Sequence, residues 1–142
     1  SAVDFSEKAL AIAKENASIN QLTVSFFKAD VLNWQNYEWD FYDVIVSNPP
    51  YVRNGEKAAM FPNVLEFEPE EALFVSDENP LLFYRKIGEF AQIHLKNGGK
   101  LFFEINENLG SETRKLMNSL NFYDIEIKND INGKARMLKC SK

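Results

Sequence analysis

Tyr42-Asp43-Val44-Ile45-Val46-Ser47-Asn48-Pro49-Pro50-Tyr51 is an apolar, β-branched run that stops on two consecutive prolines. Val and Ile suit a packed, pleated strand. Each proline fixes φ and lacks the N–H that a ladder needs, so the strand over 42–46 ends here. Asn48 therefore stands at a strand's carboxyl end, the rim at which open α/β sheets bind ligands. The prolines have little freedom to lose and donate no backbone hydrogen bond. The segment thus presents acceptors at fixed positions, beside the flat ring of Tyr51.

Working outward from this run, Ser1-Ala2-Val3-Asp4 reads as the end of a strand. Ser6 is a helix N-cap followed by Glu7, with Ala9, Leu10, Ala13 and Ala17 in an amphipathic pattern, which predicts a helix from 6 to about 18. Thr23 to Lys28 is a second strand, ending at Ala29-Asp30, and 34–41 is a loop or short helical turn. Beyond Tyr51, residues 52–78 carry Gly55, Pro62, Pro69 and several acids without a clear period. They read as a long irregular stretch, a length that in a compact domain marks function or disorder.

Asn79-Pro80 supplies a cap and a first-turn proline for a helix whose apolar face is Phe83, Ile87, Phe90, Ala91 and Leu95, stopped by Asn97-Gly98-Gly99. Lys100 to Ile105 is a buried-type strand, and Ser111 caps a helix carrying Leu116, Met117 and Leu120. Asn132-Gly133 turns a hairpin between Tyr123–Lys128 and Ala135–Cys140. Strands alternating with helices predict an α/β fold with a mostly parallel sheet and an antiparallel C-terminal hairpin, in one domain or part of one.

The 142 residues are 45% apolar and 26% charged, an ordinary globular composition, and the net charge of −5 disfavours a general phosphate-tracking surface. One cysteine, Cys140, excludes an internal disulfide and, with the single His94, leaves no ligand set for a structural zinc site. A reducing cytoplasm fits best, and no run is long and apolar enough to span a membrane.

Several stretches together resemble one family. They are Asp4-Phe5-Ser6 with Ala9-Leu10, Val44 to Val52 around Asn48-Pro49-Pro50-Tyr51, and Phe67-Glu68-Pro69 with Ala72-Leu73. Further on come Phe83-Tyr84-Arg85, Leu95 to Gly99 and Phe103-Glu104-Ile105. The pattern is similar to the S-adenosylmethionine-dependent methyltransferases with an Asn-Pro-Pro-Tyr motif, and within them to the HemK/PrmC family, which methylates the GGQ glutamine of peptide-chain release factors. The motif alone is shared with N6-adenine methyltransferases of RNA or DNA; the Phe-Glu-Pro…Ala-Leu segment is narrower.

The resemblance implies a Rossmann-like methyltransferase fold and S-adenosylmethionine as cofactor. It implies cofactor contacts at Asp4 (ribose hydroxyls), Asp30 and Val31 (adenine) and Asn48, and a catalytic and substrate-binding set of Asn48, Pro49, Pro50 and Tyr51. It also implies an N-terminally truncated catalytic domain over 1–142, in which the family's first strand, its glycine-rich loop and its N-terminal helical domain have no counterpart. That strand lies centrally in the family's sheet. Its loss leaves open strand edges, from which a rearranged sheet or self-association by strand exchange, without cofactor binding, is expected. Two positions depart from the family: Val31 stands where an aromatic residue is frequent, and Asn106 where glycine is frequent. The sequence gives Asn106 no chemical meaning.

The chemistry that the motif suits is attack by a planar N–H₂ group. A carboxamide nitrogen is a poor nucleophile because its lone pair is delocalised, and two acceptors, the Asn48 side-chain oxygen and the Pro49 carbonyl, could bind both its hydrogens without a general base. Tyr51 could stack on the amide. Each residue also has a plainer role open to it. Asn48 could cap a turn, Asp4 could cap the helix alongside Ser6, and Asp30 could be a loop residue. The acids from Glu66 to Glu71 suit a solvated surface, His94 and Cys140 suit packing, and Lys134 with Arg136 are too few for a substrate patch.

Overall fold

The computed structural model describes residues 1–142, the side chain of Ala59 excepted. The chain divides into two compact units, Ser1–Glu38 and Trp39–Lys142.

In the first unit, β1 (Ala2–Asp4) and β2 (Phe26–Lys28) pair in parallel, with Asp4 opposite Lys28. Between them runs α1 (Glu7–Ile19), capped as its sequence predicts by Ser6, whose Oγ accepts from the Ala9 N–H at 3.3 Å. The second strand is shorter than the β-rich run 23–28 suggests, because β1 offers only three pairing positions. A 3₁₀ helix, Val31–Asn36, follows, and Leu10, Ala29 and Trp34 are the buried apolar residues of this unit.

The second unit is built on β3 (Tyr42–Ser47), β6 (Leu95–Glu104), β7 (Tyr123–Asn129) and β8 (Ala135–Ser141), in the order β3-β6-β8-β7. β3 and β6 are parallel, while β8 is antiparallel to both its neighbours, so the C-terminal hairpin does add antiparallel strands. The rearranged sheet expected above does not form. β1–β2 and the four-stranded sheet are separate, and among the described residues no strand pairs with the outer edge of β3.

Two helices, α4 (Leu82–His94) and α5 (Gly110–Ser119), contribute to the core of this unit. It combines Tyr84, Ile87 and Phe90 of α4 with Leu101 and Phe103 of β6 and Met117 of α5, all less than a tenth exposed. Tyr84 meets Phe103 edge to face at 5.2 Å, and burying such a ring is worth about 2–3 kcal/mol. Cys140 lies in this core, where burial pushes its thiol up to about 12 and leaves it an inert packing group.

Three expectations are corrected. Residues 52–78 are not irregular: β4 (Val52–Arg53) and β5 (Phe74–Val75) form a parallel pair, enclosing a 3₁₀ helix, Asn54–Ala59, and the short helices α2 (Pro62–Phe67) and α3 (Glu70–Leu73). Pro62 is the first residue of α2 and Pro69 the cap residue before α3, positions at which a missing N–H costs no helical hydrogen bond. Next, α4 starts at Leu82, after a turn in which the Leu82 N–H reaches the Asn79 carbonyl, and ends at His94, so Leu95 already belongs to β6. Finally, Ser111 lies inside α5. The helix is entered through the 3₁₀ turn Glu107–Leu109, capped by Asn106, which has already directed the backbone into a helical path.

Candidate active site

β3 delivers the motif to a sheet rim. Ser47, its last residue, lies beside Phe103 of β6; Asn48 is exposed and Pro49 is buried. The Asn48 side chain forms no hydrogen bond with the described residues, so it is not the cap of a turn. It lines a cleft of about 440 Å³ together with Val46, Ser47, Phe103, Glu104 and Met137.

Tyr51 is fixed at two points, both from the far end of β6. Its hydroxyl donates to Glu104 Oε1 at 2.5 Å, and its backbone carbonyl accepts from Asn106 Nδ2 at 3.0 Å. Burial, and then the neighbouring Glu104 carboxylate, push the phenol up to about 12, so Tyr51 stays a neutral donor; the Arg136 guanidinium lies beside it and works the other way. Beneath this pair Tyr84, fully buried, accepts the Asn106 backbone N–H and donates its hydroxyl to the Glu104 carbonyl, each at 3.2 Å.

The segment after the motif is tied to the same place by Glu56. Its carboxylate accepts from the Arg53 N–H (2.9 Å), Arg53 Nη2 (3.0 Å), Asn106 Nδ2 (2.9 Å) and Asn108 Nδ2 (3.2 Å). Burial disfavours its charge, but these donors outweigh that and hold the carboxyl at about 2.

The carboxylates of the first unit stand at the carboxyl ends of its two strands. Asp4 closes β1, and its Oδ1 accepts from the Ser6 N–H at 2.7 Å, so it does support the helix start as its plainer role suggested, leaving Oδ2 clear of that turn. Asp30 follows β2 and has both oxygens engaged in its own loop, Oδ1 by the Leu32 N–H at 2.9 Å and Oδ2 by Asn33 Nδ2 at 2.7 Å. Val31, next in the chain, starts the 3₁₀ helix and is half-buried.

The structure thus gathers Asn48, Pro49, Pro50 and Tyr51 at one rim and Asp4 with Asp30 at the end of another strand pair. It adds Glu104, Asn106, Glu56 and Arg136, to which the sequence assigned no role. Glu104 lies in a stretch that carried the resemblance, Asn106 stood out only as a departure from the family, Arg136 only as one of two charges too few for a patch, and nothing marked Glu56. His94, on the contrary, packs as expected, stacked on Phe90 at 4.7 Å with Nδ1 against the Asp40 carbonyl. The acids from Glu66 to Glu71 are exposed, and Glu70 pairs with Lys57.

Known proteins resemble the chain in sequence and in fold. The methyltransferase small domain model matches residues 1–68. A release factor glutamine methyltransferase of Flavobacterium psychrophilum is 50% identical over 138 residues, covering 97% of this chain and 48% of that protein. One of Bacteroides thetaiotaomicron is 45% identical over 139 residues, covering 98% and 50%. The chain therefore spans about half the length of the curated relatives it matches.

Among solved structures, a methyltransferase from Pyrococcus furiosus shares the fold with a TM-score of 0.70 at 21% identity, over 99% of this chain and 61% of that one. A Streptococcus mutans protein solved in complex with SAH has a TM-score of 0.55 at 15% identity, over 99% and 73%. With a methyltransferase fold and relatives of one name along nearly its whole length, the chain is similar throughout to about half of each release factor glutamine methyltransferase it matches.

Proposed function

We propose that the protein carrying this sequence transfers a methyl group from S-adenosylmethionine to the side-chain amide nitrogen of the GGQ glutamine in peptide-chain release factors, in the cytoplasm. The observation that carries this reading is the placement of Asn48. It is exposed at the carboxyl end of β3, keeps its carboxamide clear of the described residues, and is followed by a buried proline and an anchored tyrosine.

Asn48 Oδ1 and the Pro49 carbonyl accept the two hydrogens of the substrate amide, orient its nitrogen and keep electron density on it. S-adenosylmethionine, when bound, supplies an electrophilic methyl group whose bonding pair stays with sulfur. The nitrogen forms the new N–C bond and gives up one proton to water, so no side chain here has to act as a general base. Tyr51 lends its ring to the planar amide while its hydroxyl is held by Glu104. Asp4, with Oδ2 free of its turn, suits a pair of ribose hydroxyls. Asp30 has less to offer, since its own loop uses both oxygens, and with Val31 it would lie beside the adenine of the bound cofactor.

The same two acceptors fit any planar N–H₂ group, including the amino group of adenine, so the test has arms for both. The protein is incubated with labelled S-adenosylmethionine and a release factor, wild type or with its GGQ glutamine replaced, and separately with RNA and DNA. Label on the wild-type release factor alone is expected, and Asn48→Ala should lower the rate about 100-fold or more. Equal label on both release factors, or label only on nucleic acid, overturns the reading.

A further inference from the structure

Asn106 is 5% exposed, and every polar group it has is used. One amide nitrogen serves two acceptors from different segments, the Tyr51 carbonyl at 3.0 Å and Glu56 Oε2 at 2.9 Å. The side-chain oxygen accepts the Asn108 N–H at 2.9 Å, and the Asn106 backbone N–H is received by Tyr84 at 3.2 Å. Asn106 follows β6, whose last residue, Glu104, holds the Tyr51 hydroxyl. A buried polar group with all its bonds made adopts one arrangement, because breaking any of them strands a partner. A residue without a side-chain N–H₂ at this position would leave a carbonyl and a carboxylate oxygen facing each other.

We propose that Asn106 is a positioning residue for the Asn48–Tyr51 segment. Its amide clasps the Tyr51 backbone to Glu56, so that the motif and the turn after it are set against the end of β6 as one piece. Tyr51 is held at its carbonyl by Asn106 and at its hydroxyl by Glu104, and with Pro49 and Pro50 unable to change φ, the fixed Tyr51 carbonyl in turn fixes the Asn48 and Pro49 acceptors. Asn106 touches no reacting atom; it acts through Tyr51. This inference rests on the proposed amide methylation for its catalytic consequence and on the hydrogen bonds alone for its structural one.

Asn106→Asp tests it, because the substitution keeps the oxygen that accepts from Asn108 and replaces only the N–H₂. Two measurements are made on the protein carrying this sequence: steady-state methylation of a release factor, and hydrogen exchange of the peptide covering residues 48–56. We expect kcat to fall at least tenfold, KM for S-adenosylmethionine to stay within twofold, and exchange over 48–56 to quicken at least tenfold, while the strands β7 and β8 exchange as in the wild type. A role confined to stability would lower the melting temperature and leave kcat per folded molecule unchanged, and that result overturns the proposal. So does unchanged exchange over 48–56.

If Asn106→Asp does not fold, Asn106→Ser, which also keeps an acceptor oxygen and removes the donor, is judged by the same two measurements. Should the wild-type protein methylate no release factor, the proposed function fails, and the exchange measurement still decides whether Asn106 is the clasp.

Discussion

Glu56 shows how much of this site depends on charge placed where burial alone would forbid it. A half-buried carboxylate with two donors from Arg53 and one each from Asn106 and Asn108 is held at about 2 against an ordinary value of 4.5. Because the folded value lies below the unfolded one, Glu56 stabilises the fold fully above about 4.5, and that contribution is lost as pH falls towards 2. The shift corresponds to on the order of 3 kcal/mol. Urea unfolding followed from neutral pH downwards should show stability dropping through this window in the wild type and a shallower drop in Glu56→Gln; equal slopes would show that Glu56 carries no such linkage. The place of Asn48, Pro49 and Tyr51 at the end of β3 was legible because it follows from local chemistry, an apolar run stopped by two prolines. Glu104, Asn106 and Glu56 were not, since the bonds that join them to Tyr51 and to one another span 50 or more residues. At Asn106 the sequence offered only a departure from a family pattern; its meaning lies in the Tyr51 carbonyl, which no reading of neighbouring residues supplies.

At the scale of elements, the junction between α4 and β6 determines where the site's supporting strand begins. The sequence placed the helix stop at Asn97-Gly98-Gly99, as glycines after an apolar face usually imply, yet the chain passes from His94 straight into extended backbone at Leu95. The two glycines serve the strand instead. Gly98 has φ +78°, and its N–H reaches the Lys142 carbonyl at 2.9 Å, while the Lys142 N–H returns to the Gly99 carbonyl at 3.0 Å. A Cβ on Gly99 would lie 2.8 Å from the Lys96 carbonyl oxygen of β6 itself, closer than a side chain permits, and 3.1 Å from that of Asp43 in β3, a tight approach between the strands. Gly99→Ala should therefore cost about 1–3 kcal/mol of unfolding free energy, since backbone has to move to admit it. Gly98→Ala meets nothing within 4 Å and pays only for its left-handed backbone, roughly 1 kcal/mol. Equilibrium unfolding of the two variants checks the order, and a Gly99→Ala protein as stable as wild type would refute the close approach. The long stretch 52–78 failed for a related reason: its order comes from a two-residue parallel pair and proline-led single turns, all too short to leave a periodic trace.

For the whole molecule, alternating strands and helices were enough to give the α/β class and the antiparallel end, because each long element carried its own period and the hairpin its own turn. What alternation cannot give is which strands become neighbours, and here they form separate sheets instead of one. β3 has β6 on one side and, among the described residues, no strand on the other. It also presents Val44 and Val46 at 51% and 75% exposure. An edge of unpaired N–H and carbonyl groups flanked by exposed valines is a template for another strand, and the only charge within it is Asp43, itself paired with Lys96 at 2.8 Å. The 142-residue chain should accordingly associate with itself through β3. Analytical ultracentrifugation is expected to find species heavier than the 16.4 kDa monomer, increasing with concentration. Val46→Lys places a charge on the exposed face of the edge without touching the core, and it should shift the population towards monomer. A wild-type chain that sediments as a monomer at all concentrations, or a Val46→Lys variant that associates equally well, would locate the contact elsewhere or remove it.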